Sequence, residues 1–280
     1  MKINKEIRIA ICQLMVTSDK FINIEKAEKA LHKASLQGCD IAVLPEMFNC
    51  PYENDFFYEF AEEYPGETTD MLANTAKREG IYIIGGSLPE KNNEKYYNVC
   101  FSFNREGALL GVHRKIHLFD INISGKIKFT ESLIFSPGNE LTVFDTEFCK
   151  TGVAICYDMR FPELIGNMSL LGAKIIFVPA AFNMITGPAH WHTINRSRAL
   201  DNQVYFISAS PARNTDSTYH AYGHSMITDP WGQIVAEADE KESVISATIS
   251  LDYLKKIREE LPLLKHRRPE MYNSVNFRNK

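Results

Sequence analysis

GVAICYDMRFPE, residues 152–163, is an apolar run that stops on a cysteine and continues at once with Tyr157, Asp158, Arg160 and Glu163. The segment from Thr151 to Cys156 has the Val and Ile content of a buried strand. A structural cysteine normally sits inside such a run, where it packs as a small hydrophobe. A reactive thiol must instead stand where a substrate can reach it. Position alone leaves both readings open, and the rest of the chain has to supply the surroundings of this strand end.

Equivalent runs occur at 7–13 (IRIAICQ), 40–45 (DIAVLP), 81–87 (IYIIGGS), 174–179 (KIIFVP) and 204–210 (VYFISAS). Helical patterns lie between several of them. Ile24, Ala27, Ala30, Leu31 and Ala34 give 23–37 one apolar face that ends at Gly38, and 68–77 is bounded by Gly66 and Gly80. Strands alternating with helices predict an α/β core. Two hairpins interrupt the alternation, because NREG separates YYNVCFSF from ALLGVHR and PWGQ separates HSMITD from IVAEA. The sheet is therefore expected to be mixed. No repeat, low-complexity tract or linker divides the 280 residues, which predicts one domain over 1–280 with 250–280 as a tail. Its Leu254, Ile257, Leu261, Leu263 and Leu264 need a surface to pack on, and an interface in a homodimer or higher oligomer would supply one.

With 45% hydrophobic residues the chain can bury a large core. A formal net charge of -4 with scattered Lys and Arg excludes the basic footprint of a nucleic-acid or anionic-membrane binder, and the basic cluster His266-Arg267-Arg268 is short. Six dispersed cysteines without a CxxC pair are too few for a disulfide framework and fit a reducing compartment. The apolar stretch from Ile7 to Val16 is broken by Arg8 and Gln13 and lacks a cleavage pattern, and no run approaches the ~20 residues of a membrane helix. These features predict a cytoplasmic protein.

Three reactive side chains stand just beyond strand-like segments: Glu46 in VLPEMFNCPY, Lys115 in HRKIHLFD and Cys156 in AICYDMRF. In an open α/β sheet ligands bind at strand ends, so groups far apart in sequence can converge there. Together the three would perform acyl transfer. Cys156 is the nucleophile, Glu46 takes the thiol proton and returns one to the leaving amine, and the Lys115 ammonium stabilises the oxyanion.

PEMFN (45–49), HRKIHLFD (113–120), GVAICYDMRFPE (152–163), NMITGPAHW (183–191) and DPWGQ (229–233), in this order and spacing, resemble the nitrilase superfamily of carbon-nitrogen hydrolases, from Ile7 to about Tyr272. The resemblance implies a four-layer α-β-β-α sandwich and carries the family's Glu-Lys-Cys triad onto Glu46, Lys115 and Cys156. It also implies a second acid, Glu131 in KFTES, that positions Lys115 or the substrate, and an oxyanion site completed by the Tyr157 amide after a sharp turn at Cys156. PEMFNCPYEN and HLFDINISGKIKFTES look most like the omega-amidases, which act on 2-oxoglutaramate and 2-oxosuccinamate. MRFPEL and LPLLKHRRPEMY are equally similar to the deaminated-glutathione amidases.

A substrate carboxylate would need a cation near the reacting centre, and Arg160 suits it because guanidinium binds carboxylate through two parallel hydrogen bonds. The bland alternative pairs Arg160 with Glu163. Phe182, Tyr52 and Thr186 are assigned to the pocket wall from the matching motifs. Cys12, Cys39, Cys100 and Cys149 read as packed thiols. So does Cys50, although it lies four residues beyond Glu46, within reach of the pocket border. His190 and His192 lack a third ligand at any metal spacing, His113 and His117 read as an alternative base that the lysine displaces, and Gly85-Gly86 is no phosphate loop. The expected chemistry uses no cofactor or metal. Nitrile or N-carbamoyl substrates for the same triad, and a catalytically silent scaffold, are the competing functions.

Overall fold

The computed structural model describes residues 6–272; the last part of the tail assigned above, 273–280, lies outside the described residues. The first half of the chain gives β1 (Glu6–Gln13), α1 (Lys20–Leu36), β2 (Ile41–Val43), α2 (Asn54–Glu59), α3 (Glu67–Glu79), β3 (Tyr82–Ile84), β4 (Leu88–Asn92), β5 (Lys95–Phe103) and β6 (Leu109–Arg114). A small hairpin, β7 (Asp120–Ile123) and β8 (Ile127–Thr130), follows. The second half gives β9 (Thr142–Asp145), β10 (Lys150–Val153), α4 (Pro162–Leu170), β11 (Ile175–Pro179), α5 (Thr186–Asn202), β12 (Tyr205–Ala209), β13 (Met226–Thr228), β14 (Ile234–Glu237) and β15 (Ser243–Ser250). It ends in α6 (Leu251–Glu260) and α7 (Pro269–Tyr272).

Two mixed sheets result, with both expected hairpins in place. The first runs β15-β1-β2-β3-β5-β4 with β6 on β5, and the second runs β14-β13-β12-β11-β10-β9. Both keep parallel pairs at their centres, β1-β2-β3 and β10-β11-β12. The period of two along β1 builds the layers. Ile7, Ile9 and Ile11 pack in one core with Val153, Ile175, Phe177 and Ile207 of the second sheet, while Ala10 and Cys12 pack with Ala27 and Leu31 of α1 and Leu72 of α3. Helices α4 and α5 bring Leu164, Ile165, Met168 and Trp191 to the second sheet. The architecture is the expected α-β-β-α sandwich.

α1 begins at Lys20 rather than Asn23, because Asp19 accepts the Ile22 N–H and caps the first turn. The tail divides between two fates. α6, capped by Ser250, buries Leu251, Leu254 and Ile257 on the chain's own core, so these residues need no second copy. Leu261, Met271 and Tyr272 remain exposed.

Candidate active site

Each catalytic candidate sits where a strand stops. Glu46 follows β2 after Leu44 and Pro45, and the turn behind it is held by Gly86: at φ +62°, a Cβ there would lie 2.3 Å from the Pro45 carbonyl oxygen. The glycine pair that is no phosphate loop thus shapes the glutamate's backbone. Lys115 follows β6 and donates its N–H to the Asn98 carbonyl at 2.8 Å. Glu131 opens a 3₁₀ turn, Glu131–Leu133, directly after β8. Cys156 opens another, Cys156–Arg160, with φ +45°, a left-handed conformation uncommon for a residue with a Cβ and typical of strained functional positions.

These four come together in a closed cluster. Glu46, Lys115 and Glu131 are fully buried and Cys156 is 4% exposed. Lys115 Nζ donates to Glu46 Oε1 at 2.9 Å, to Glu131 Oε1 at 3.1 Å and to the Tyr52 hydroxyl at 3.2 Å. Glu131 is itself fixed by the Phe119 N–H on Oε2 at 2.7 Å, and Asn98 Nδ2 bridges Glu46 and Glu131 at 2.9 and 3.0 Å. Glu46 Oε2 has no hydrogen-bond partner among the described residues. One carboxylate oxygen therefore holds the lysine while the other stays available for a proton.

The electrostatics follow from burial and charge count. Burial raises the Glu46 pKa, the Glu131 charge adds to the rise, and Lys115 opposes it. Burial works against the Lys115 ammonium, but Glu131 and Glu46 overcome it and hold the group charged. Burial and the Glu46 charge push the Cys156 thiol well up, against Lys115. The resting site thus pairs a protonated thiol with a carboxylate whose basicity is increased, and a permanent cation beside both.

The pocket-wall assignments fare unequally. Tyr52 belongs to the cluster, held by Phe57, Phe129 and Tyr219. Phe182 lies under Arg160, whose guanidinium carbon is 4.6 Å from the ring centroid. Arg160 has no carboxylate in ion-pair range among the described residues, so its pairing with Glu163 is not formed; its NH1 instead donates to His190 Nδ1 at 3.1 Å. Burial and the Arg160 charge lower the His190 pKa, which keeps that nitrogen an acceptor. Thr186 spends its N–H and hydroxyl on Asn183 Oδ1 at the start of α5. Tyr157 follows Cys156 at the first step of the 3₁₀ turn, where backbone N–H groups lack partners inside the helix. Cys50 is a buried thiol and also lines the cavity beside Glu46 and Tyr52, so both of its readings hold.

Sequence reasoning missed three contributors. Asn98 is a buried amide in the middle of β5, and a polar residue inside the apolar segment YYNVCFSF was the available signal. Tyr219 arrives from the loop before β13, hydrogen bonds to the Ala181 carbonyl and packs its ring, tilted, against Tyr52, with no local signal at all. Asp158, two residues after Cys156, accepts His113 Nε2 at 3.0 Å, His117 Nδ1 and N–H at 2.8 Å each, and the Ile155 N–H at 3.1 Å. Both histidines flanking Lys115 therefore serve Asp158, not the thiol.

Comparison with known proteins agrees with this geometry. The family profile described as carbon-nitrogen hydrolase matches residues 8–259. The chain is 49% identical over 272 residues to the omega-amidase NIT2-B of Xenopus laevis, covering 97% of this chain and 99% of that protein. It is 46% identical over 265 residues to the omega-amidase NIT2 of Homo sapiens, covering 95% and 96%. Among solved structures, Saccharomyces cerevisiae Nit3, described as a member of branch 10 of the nitrilase superfamily, matches with a TM-score of 0.87 at 42% identity over 95% of this chain and 98% of that one.

Proposed function

The chain belongs to the carbon-nitrogen hydrolase family, and from that premise we propose that it is an amidase of omega-amidase type, hydrolysing the terminal amide of small 2-oxo dicarboxylate monoamides such as 2-oxoglutaramate and 2-oxosuccinamate. Cys156 Sγ attacks the amide carbon while its proton passes to Glu46 Oε2. The carbonyl oxygen, now an oxyanion, lies against the Lys115 ammonium and the Tyr157 N–H. Collapse breaks the C–N bond, Glu46 returns the proton to nitrogen, and ammonia leaves a thioester. Glu46 then takes a proton from water, whose oxygen attacks the thioester carbon, and the C–S bond breaks to release the acid while Glu46 returns that proton to Sγ, restoring the thiol.

The observation that carries the reading is Lys115 held between two carboxylates, one of which keeps an oxygen free for the thiol proton. Glu131 takes the positioning role: it keeps the ammonium charged and aimed. Arg160, buried enough to be only partly solvated and with no carboxylate in ion-pair range among the described residues, suits the acid end of the substrate, with Phe182 as its support. The deaminated-glutathione amidase, nitrile and N-carbamoyl alternatives use the same triad and differ in what Arg160 and the loop carrying Tyr219 admit. A silent scaffold would have no use for a complete proton-transfer cluster.

The six free, buried cysteines support a reducing compartment such as the cytoplasm. No helix among the described residues is long and apolar enough to cross a membrane. The test of the reading is ammonia release from 2-oxoglutaramate by the purified protein. Release that vanishes in Cys156→Ala supports it; no release, or equal release by both, overturns it.

A further inference from the structure

We infer that His192, His224 and Glu237 form a site for one divalent ion of the zinc class, separate from the catalytic cluster. One ligand atom from each lies within 4.8 Å of the others. Glu237 Oε1 is 2.7 Å from His192 Nε2 and 3.2 Å from His224 Nδ1. A tetrahedral zinc ion with bonds of about 2.1 Å sets its ligand atoms about 3.4 Å apart, so the His224–Glu237 separation is already close, while His192 has to withdraw from Glu237 by about 0.7 Å and the two imidazole nitrogens, within 4.8 Å, have to settle to the same spacing. Two imidazoles and a carboxylate suit zinc, and partial exposure of all three side chains leaves the fourth position to water.

The three residues come from different elements: α5, the loop before β13, and the last residue of β14. Their geometry is set by neighbours. The Tyr222 ring stacks on His224 with centroids 4.3 Å apart, Trp191 Nε1 donates to the His224 carbonyl at 2.7 Å, and His224 itself is held at φ +57°. The two histidine N–H groups now aimed at Glu237 are what a metal-free triad needs for its carboxylate. Moving each proton to the other ring nitrogen frees both lone pairs without changing the net charge, and the bound ion would then brace α5 against the edge strand β14. In sequence, Glu237 stands 45 residues beyond His192, which is why His192 showed no third ligand nearby.

The experiment titrates the reduced, full-length protein with zinc chloride in competition with a chromophoric chelator, and repeats the titration with cobalt(II) as a spectroscopic probe. The expected result is one equivalent bound by the wild type, affinity lowered at least about tenfold in both His192→Gln and His224→Ala, and cobalt d–d absorption without a thiolate charge-transfer band. Zinc should raise the melting temperature of the wild type and not of these variants, while their ammonia release stays within about twofold of wild type and shows that they fold. Binding no tighter than the chelator's, binding unchanged in the two variants, or a thiolate band that assigns the ion to a cysteine would each overturn the site.

Discussion

In the proposed mechanism the chemistry turns on Lys115, because a fully buried ammonium is tolerable only when its charge is neutralised and its protons are accepted. Glu46, Glu131 and Tyr52 do both. Since the Glu131 charge is one of the forces raising Glu46, Glu131→Gln should move the acid limb of the kcat/KM profile to lower pH, besides reducing kcat by about one to two orders of magnitude. A pH profile with an unmoved limb would leave Glu131 a purely steric support. Arg160→Ala should cost about 2 to 4 kcal/mol in kcat/KM for 2-oxoglutaramate, with part of the loss in kcat, and should leave the slow hydrolysis of neutral propionamide nearly unchanged. Equal losses on both substrates would assign Arg160 to the nucleophile turn. At this scale Glu46, Lys115 and Cys156 were legible because each ends a strand-like run. Glu131 was reached only through family resemblance. Thr186 was assigned by motif membership alone, and its N–H and hydroxyl are taken up by Asn183. Asn98 and Tyr219 were missed, the first hidden in mid-strand and the second brought in by a loop.

Between elements, Asp158 is the clasp that sets the nucleophile turn against the lysine strand. It is fully buried, and although burial opposes its charge, hydrogen bonds from His113 and His117 hold its carboxyl well below the usual carboxylate range. A folded-state pKa below the unfolded one means that the folded protein binds fewer protons, so this stabilisation is complete above about pH 3.8 and fades as the pH falls toward the folded value. Asp158→Asn should therefore destabilise the protein by about 3 kcal/mol at neutral pH, with a gap to wild type that narrows in strong acid. It should also lower kcat, because the turn carrying Cys156 and the segment carrying Lys115 would lose their common anchor. Denaturant melts across pH check the first expectation, and a constant gap would refute the charge-based explanation. Strands β1–β3 and β10–β12, helices α1 and α3 and both hairpins were readable from periodicity and turn chemistry, whereas the 17-residue α5 and the closing strand β15 were not read. The exact start of α1 was not, because it depends on a single Asp19 cap outside the apolar pattern.

For the whole molecule, strand β15 returns from the second sheet to pair with β1 at the edge of the first, from Glu6↔Ser250 to Gln13↔Ser243. The mixed sheets were foreseeable from local patterns, but their stacking came only through the family resemblance: whether two sheets lie side by side or face to face depends on long-range contacts such as Ile9 against the second sheet, which no local pattern records. Self-association remains a proposal. Its motive has moved from Leu254 and Ile257, now accounted for within the chain, to exposed Leu261, Met271, Tyr272, Leu170, Leu171 and Trp231. Light scattering at micromolar concentration should give at least twice 31.9 kDa, and the monomer mass would refute the proposal. The most direct test of a Cys156-centred amidase is to quench the protein with acid during turnover of 2-oxoglutaramate and weigh its peptides. The acyl group should appear on the peptide containing Cys156 and on no other. An acyl group on a different residue, with ammonia still released, would contradict the mechanism.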